Sequence, residues 1–146
     1  MLAFETPILF GTAMDEAVRL RNFSPPEDGF IWSGGKWCEV EFDADLGRAL
    51  RGRTTVEFMI DLDVFKFPPA FPGQNLLVYM NGLRIASSFI TTRTVLTMPV
   101  RPAVVQPTGN VLVLDIPDAI RPSEFGLEDD RLLGAQLFSL AVGAGG

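Results

Sequence analysis

Hydrophobic and polar residues alternate with a period of two along much of the chain. The alternation is clearest over Val56–Val64, where apolar residues take turns with three acidic residues and one methionine. Successive side chains of a strand point to opposite faces, so this pattern predicts a strand with one face buried and the other in water. It recurs in the preceding segment, where Cys38 is expected to point inward as a small core residue and Glu39 and Glu41 outward.

Turn residues divide the alternating segments. Asn81-Gly82 separates Leu76–Met80 from Leu83–Ala86, and because a type I′ turn needs two positive φ angles, this dipeptide predicts an antiparallel hairpin. Further strands are predicted at Val18–Arg21, Phe89–Met98, Val111–Ile116 and Gly134–Val142, and helical turns at Asp45–Arg51 and Ser123–Asp130. Seven or eight short strands predict an all-β fold, an antiparallel β-sandwich of jelly-roll type. We expect one domain over residues 1–146, with its core over about residues 16–142.

The composition removes several kinds of chemistry. The 146 residues include no histidine and one cysteine, so the chain cannot form an internal disulfide or a catalytic Ser-His-Asp or Cys-His arrangement. A zinc site would have to be built almost entirely from carboxylates. With 18 acidic and 12 basic side chains, the net charge is -6, whereas nucleic-acid binding needs clustered lysine and arginine. We therefore predict no cofactor, no metal and no nucleic-acid partner.

No targeting or membrane segment is recognisable. The first residues carry Glu5 and lack a basic region, unlike a signal peptide. No apolar run approaches the ~20 residues of a membrane-spanning helix. We expect no membrane insertion and a cytoplasmic location.

Two tryptophans are the leading candidates for a binding site. Trp32 and Trp37 flank the turn residues Gly34-Gly35, and an indole face can stack on the C–H face of a sugar while polar side chains bind its hydroxyls. Glu27 and Arg84 are polar residues of the required kind. The alternative for each tryptophan is a structural role as a lid over the end of the sandwich core.

The carboxylate pairs give a weaker indication of catalysis. Glu39 and Glu41, and likewise Asp61 and Asp63, would share one strand face, but carboxylates on a wet face usually serve as solvating charges. A carboxylate-based hydrolase or lyase that also uses Tyr79 is kept as an alternative, and no catalytic residue is assigned. Asp129-Asp130-Arg131 is expected to pin the loop before the last strand through an Asp–Arg pair.

The Phe65–Pro72 segment is rich in phenylalanine and proline. Such a rigid segment can present an aromatic ring to a protein partner. The alternative is a crossover loop whose phenylalanines fold back over the edge of the sandwich.

A succession of short motifs runs along the chain. The motifs are Pro26-Glu27, Trp32-Ser33-Gly34, the alternating strand that ends in Phe65 with prolines after it, Val78 to Asn81-Gly82, Met98-Pro99, Ile116-Pro117-Asp118-Ala119, Pro122-Ser123-Glu124-Phe125-Gly126 and Asp130-Arg131-Leu132-Leu133-Gly134. Their order resembles a bacterial family of galactose-binding-like β-sandwich domains, found beside or fused to glycosyltransferases and other proteins of cell-surface polysaccharide production. The likeness covers roughly residues 20–142 and implies a non-catalytic module that contacts glycans. Calcium sites of such folds are not expected here, because no acidic loop is recognisable.

Two functional hypotheses follow from these residues. The first is a non-catalytic carbohydrate-binding module that uses Trp32 and Trp37 with Glu27 and Arg84. The second is a structural or assembly protein whose sheet edges or Phe65–Pro72 loop bind a protein partner or a second copy in a homo-oligomer.

Overall fold

Two antiparallel sheets face each other across a shared apolar core in the computed structural model, which describes residues 1–3, 5–12, 14, 18–46 and 52–144. The predicted β-sandwich is therefore confirmed. None of the helical segments in these ranges is long and apolar enough to span a membrane. The strands in chain order are β1 (Leu2–Ala3), β2 (Ile8–Leu9), β3 (Arg19–Arg21), β4 (Ile31–Trp32), β5 (Trp37–Phe42), β6 (Ala44–Asp45), β7 (Val56–Val64), β8 (Gln74–Met80), β9 (Leu83–Ile90), β10 (Thr94–Val100), β11 (Asn110–Asp115) and β12 (Ala135–Ala144).

Most neighbouring strands in each sheet are distant in sequence. The front sheet has the order β3-β5-β11-β8-β9. The back sheet has the order β10-β7-β12-β2, and the short strand β4 also pairs with β12. β1 and β6 form a separate parallel pair. Because β9 and β10 are both edge strands, the chain passes from the front sheet to the back sheet along one side of the sandwich.

The core lies between the two sheets and is made by alternate residues of the strands. β7 alternates between buried and half-buried positions along all nine residues, as its sequence predicted, and its bounds match the predicted segment. Phe42 of the front sheet and Phe58 of the back sheet are both fully buried, and their ring centroids lie 6.3 Å apart. Cys38 is also fully buried, and burial raises the pKa of its thiol. Its predicted role as a small core residue is confirmed.

The hairpin predicted at Asn81-Gly82 joins β8 to β9. Both turn residues have positive φ angles, 50° and 84°, as a type I′ turn requires. The pairing of β8 with β9 contains a bulge next to Val78 and Tyr79, where one residue of β9 has no partner.

Two sequence predictions differ from the structure, and a third falls mostly outside the described residues. Phe89–Met98 is two strands, because β9 ends at Ile90, β10 begins at Thr94 and residues 91–93 connect them. The helical turn expected at Ser123–Asp130 is a short 3-10 helix over Pro122–Phe125. The turn expected at Asp45–Arg51 begins in β6, and residues 47–51 lie outside the described part of the chain.

A buried amide network ties the hairpin to β11. Asn110 is fully buried, and its side chain donates to the carbonyls of Phe42 and Gln106 at 3.2 and 2.7 Å and accepts from the Gln106 N–H at 2.8 Å. Asn81 donates to Asn110 Oδ1 at 3.1 Å and to the carbonyl of Val104 at 2.7 Å. The side chain of Asn81 is therefore engaged inside the protein.

We predict that Asn110→Ala lowers the free energy of unfolding by about 3 kcal/mol, because it leaves the buried carbonyl of Phe42 and the part-buried groups of Gln106 and Asn81 without their hydrogen bonds to Asn110. Urea unfolding measures the change. Asn75→Ala is the matched control: Asn75 is exposed and bonds the Asp118 carboxylate, so its loss should cost about 1 kcal/mol or less. Equal losses in the two variants would contradict a special role for the buried network.

Candidate functional site

The outer front face is the surface of the front sheet that points away from the core. Residues directly opposite each other in an antiparallel pair share a face, so the strand register gives its arrangement. One row across the sheet contains Trp37, Asp115, Leu77 and Ser87. The next row contains Glu39, Val113, Tyr79 and Arg84.

Trp37 presents its indole to solvent on this face. It is the first residue of β5 and is 43% exposed. The Asn22 side chain donates to its carbonyl at 2.6 Å, and the guanidinium carbon of Arg21 lies 6.0 Å from the ring centroid. The backbone around Trp37 is therefore fixed while its ring remains accessible.

Charged side chains on the outer front face fall into paired and unpaired groups. Glu39 pairs with Arg21 at 3.2 Å, and Glu41 pairs with Arg19 at 3.1 Å. Asp115, directly opposite Trp37, forms no ion pair or side-chain hydrogen bond with any residue that the structure describes. Arg84 likewise has no such partner. Asp115 and Arg84 are therefore free to bind a ligand.

Trp32 lies on the opposite side of the molecule. It belongs to β4 and pairs with Gln136 of β12, which in turn pairs with Asp63 of β7. These residues face outward from the back sheet, and Trp32 is half-buried. The expectation that Trp32 and Trp37 form one stacking platform is therefore corrected, because the chain changes sheets between β4 and β5.

Glu27 lies in the hairpin that leads to Trp32. Its backbone forms a two-way bridge with Phe30, and one of its carboxylate oxygens lies 3.7 Å from a guanidinium nitrogen of Arg131. Arg131 also makes a close ion pair with Asp129, with a shortest distance of 2.7 Å. The predicted Asp–Arg pair is confirmed. The four predicted site residues therefore divide into Trp37 and Arg84 on the front sheet, and Trp32 and Glu27 on the other side.

The two back-sheet carboxylates that were considered for catalysis each form an ion pair with a basic side chain. Arg93 holds Asp61 through two hydrogen bonds of 3.0 and 2.9 Å, and Lys66 binds Asp63 at 2.8 Å. Each acid has its own basic partner, so the pair does not face a shared substrate position. In the ranges that the structure describes, no group of three or more acidic, cysteine or histidine side chains could hold a metal ion.

The aromatic loop folds back on the protein. Phe67 stacks on Phe125 with a centroid distance of 4.9 Å, and Phe65 and Phe71 lie 6.2 and 5.7 Å from the same ring. Backbone hydrogen bonds join Phe67 and Phe71 in both directions. The phenylalanines thus pack mainly on one another, as expected for a crossover loop that folds back on the sandwich. Contact between Phe65–Pro72 and a protein partner stays a prediction.

No pattern in the sequence marks Asp115 or Ser87 as part of a binding site. Asp115 is the second-to-last residue of the predicted strand Val111–Ile116, Ser87 follows the predicted strand Leu83–Ala86, and neither has a local motif. Their shared position depends on β5, β11, β8 and β9 being neighbours. Only the strand order of the sheet shows that they lie in one row with Trp37.

The chain shows distant similarity to solved structures of other proteins. No family model and no curated protein matches it. Among solved structures, it is similar to a carbohydrate-binding module, CBM36, in complex with calcium and xylotriose, with 11% identity, a TM-score of 0.43 and coverage of 94% of this chain and 98% of that one. It is also similar to a family GH115 4-O-methyl-alpha-glucuronidase with specificity for decorated arabinogalactans, with 11% identity, a TM-score of 0.48 and coverage of 92% of this chain and 18% of that one. Likeness at these identities and TM-scores does not identify a ligand.

We predict that the Asp129–Arg131 pair contributes to acid sensitivity. The side-chain hydrogen bond from Arg131 lowers the pKa of Asp129, so the stabilisation is present above the unfolded pKa of about 3.9 and is lost as the pH falls through the folded value. Asp129→Asn should therefore show a smaller drop in melting temperature between pH 5 and pH 2. The exposed Asp28 supplies the control, Asp28→Asn. An unchanged drop in Asp129→Asn would contradict the prediction.

Proposed function

We propose that this protein is a non-catalytic carbohydrate-binding module whose binding surface is the outer front face. The observation that carries the proposal is the exposed indole of Trp37 directly opposite the unpaired carboxylate of Asp115. Tyr79 and the unpaired Arg84 lie in the adjoining row. An aromatic ring with polar groups beside it is the combination that recognises a sugar ring.

The dimensions of this face suit a short oligosaccharide. From Trp37 to Ser87 there are three interstrand spacings, or about 14 Å. A sugar stacked on Trp37 would place hydroxyls within reach of Asp115. A chain that continued across the sheet would pass Leu77 and Tyr79 and reach Ser87 and Arg84 on the edge strand.

The charge arrangement supports binding without turnover. Glycoside hydrolysis needs two carboxyl groups on opposite sides of the scissile bond. On the described part of the outer front face, Glu39 and Glu41 are held by arginines, which leaves Asp115 without a second free acid beside it. A lone carboxylate can accept hydrogen bonds from hydroxyls but cannot supply both catalytic roles.

The biological setting is part of the same proposal. The resemblance to domains found with glycosyltransferases supports a role in the production of cell-surface polysaccharides. In that setting, a binding module would hold a glycan for a separate enzyme.

We predict that Trp37→Phe abolishes or weakens glycan binding by tenfold or more, because the smaller ring loses stacking area. Binding is measured by intrinsic tryptophan fluorescence and by isothermal titration calorimetry against a panel of oligosaccharides. The chain supplies its own control in Trp32→Phe, which alters the indole on the back sheet. This variant should bind as the parent does.

The two tryptophan variants separate the possible sites. Loss of binding in Trp32→Phe alone would move the site to the back sheet and overturn the present proposal. If no oligosaccharide in the panel binds the parent protein, the carbohydrate-binding function itself is wrong. Melting temperatures of both variants show whether a loss of binding reflects a loss of folding.

A protein-binding role is the second candidate, favoured by exposed apolar side chains on the edge strands β9 and β10. Leu83 and Phe89 of β9 are 52% and 51% exposed, and Val95 of β10 is 56% exposed. Edge strands with apolar side chains are prone to pair with another chain. This role predicts a dimer in light scattering that Phe89→Lys disrupts, and a monomer at every concentration would count against self-association.

A further inference from the structure

A cleft lies on the side of the sandwich where the edge strands β9 and β10 meet. It has a volume of about 460 Å³. Its walls are mostly apolar, and Arg84 and Arg101 are the two charged residues that line it. The apolar lining residues are Leu83, Ile85, Pro99, Val100 and Val104.

Among the described residues, the two arginines of the cleft lack the acidic partners that four other arginines of this protein have. Arg84 and Arg101 form no ion pair or side-chain hydrogen bond with any residue that the structure describes. The lining of the cleft contains no acidic residue. Ion pairs with acidic partners engage Arg19, Arg21, Arg93 and Arg131.

We propose that this cleft binds the carboxylate of an acidic sugar, a uronic acid, within the glycan held by the outer front face. The inference rests on the proposed function and adds the class of sugar to it. Arg84 connects the two surfaces, because it lines the cleft and also lies opposite Tyr79 on the outer front face. A glycan that crosses the front sheet from Trp37 would reach the cleft at β9.

The chemistry of the cleft fits a uronic acid better than a neutral sugar or a small inorganic anion. A guanidinium matches the planar carboxylate and can donate two parallel hydrogen bonds to it. The apolar walls can contact the C–H groups of a sugar ring, which an inorganic anion does not have. A neutral sugar would leave both arginines without an ionic partner.

The test compares an acidic oligosaccharide with its neutral counterpart. Tri-galacturonate and galactotriose are titrated into the full chain by calorimetry, with sodium acetate as a third probe for the free carboxylate. We expect tri-galacturonate to bind at least about tenfold more tightly than galactotriose, since hydrogen bonds to charged groups are the stronger ones. Arg84→Gln and Arg101→Gln should each remove most of this preference, and raising the salt concentration should reduce it.

Arg121→Gln is the matched control for charge. Arg121 is exposed, lies outside the cleft lining and bonds a backbone carbonyl. It should keep the preference for tri-galacturonate. If all three arginine variants lose the preference equally, the effect is one of net charge and the cleft proposal is wrong. Acetate binding as tightly as tri-galacturonate would also overturn it, because the sugar would then contribute nothing.

The outcomes distinguish the cleft from the outer front face. Equal binding of tri-galacturonate and galactotriose, lost in Trp37→Phe, would overturn the cleft proposal and leave the carbohydrate-binding function intact. Acid-selective binding that depends on Arg84 and Arg101 and is unchanged in Trp37→Phe would support the cleft and overturn the use of the outer front face. Absence of binding by both sugars would overturn the cleft proposal, and the carbohydrate-binding function would be overturned as well only if the whole oligosaccharide panel failed to bind.

Discussion

Packing of the two sheets against each other is the constraint on which the rest of the structure depends. Phe42 from the front sheet packs near Phe58 from the back sheet, and both rings are fully buried. For these contacts to form, each long strand must turn alternate residues inward, and burial of those residues supplies most of the driving force for folding. The residues that alternate with these inward-facing residues therefore lie on the outer faces of the sheets. Packing therefore constrains their identity much less than it constrains the core.

Several outward-facing positions carry charged residues that form ion pairs. Arg21 pairs with Glu39 on the front sheet, and Arg93 pairs with Asp61 on the back sheet. Exposed ion pairs contribute little to stability, but they leave both partners unavailable to a ligand. Asp115 and Arg84 are exceptions on the front sheet. An unpaired charge gains most from an incoming ligand, since it breaks no existing ion pair when it binds.

The sequence predicted the fold better than the site, for a physical reason. Alternation is a local property, so Val56–Val64 and the Asn81-Gly82 hairpin could be predicted without knowledge of the strand order. The position of a side chain on one sheet or the other is not local. Trp32 and Trp37 are five residues apart, yet the chain leaves the back sheet after β4 and enters the front sheet at β5. Asp115 joins Trp37 only because β11 is the neighbour of β5.

The bulge in the hairpin determines which residue of β9 lies opposite Tyr79 in the proposed site. Counting back from the pair Leu77–Ser87, a regular ladder would place Ile85 opposite Tyr79 and turn Arg84 toward the inner side, opposite Met80. The bulge leaves one residue of β9 unpaired, so that Arg84 lies opposite Tyr79 instead. Bulges characteristically redirect side chains near binding sites. Here the bulge brings Arg84 to the outer front face, while Ile85 remains in the wall of the cleft. Because Arg84 also lines the cleft, this one residue joins the two surfaces.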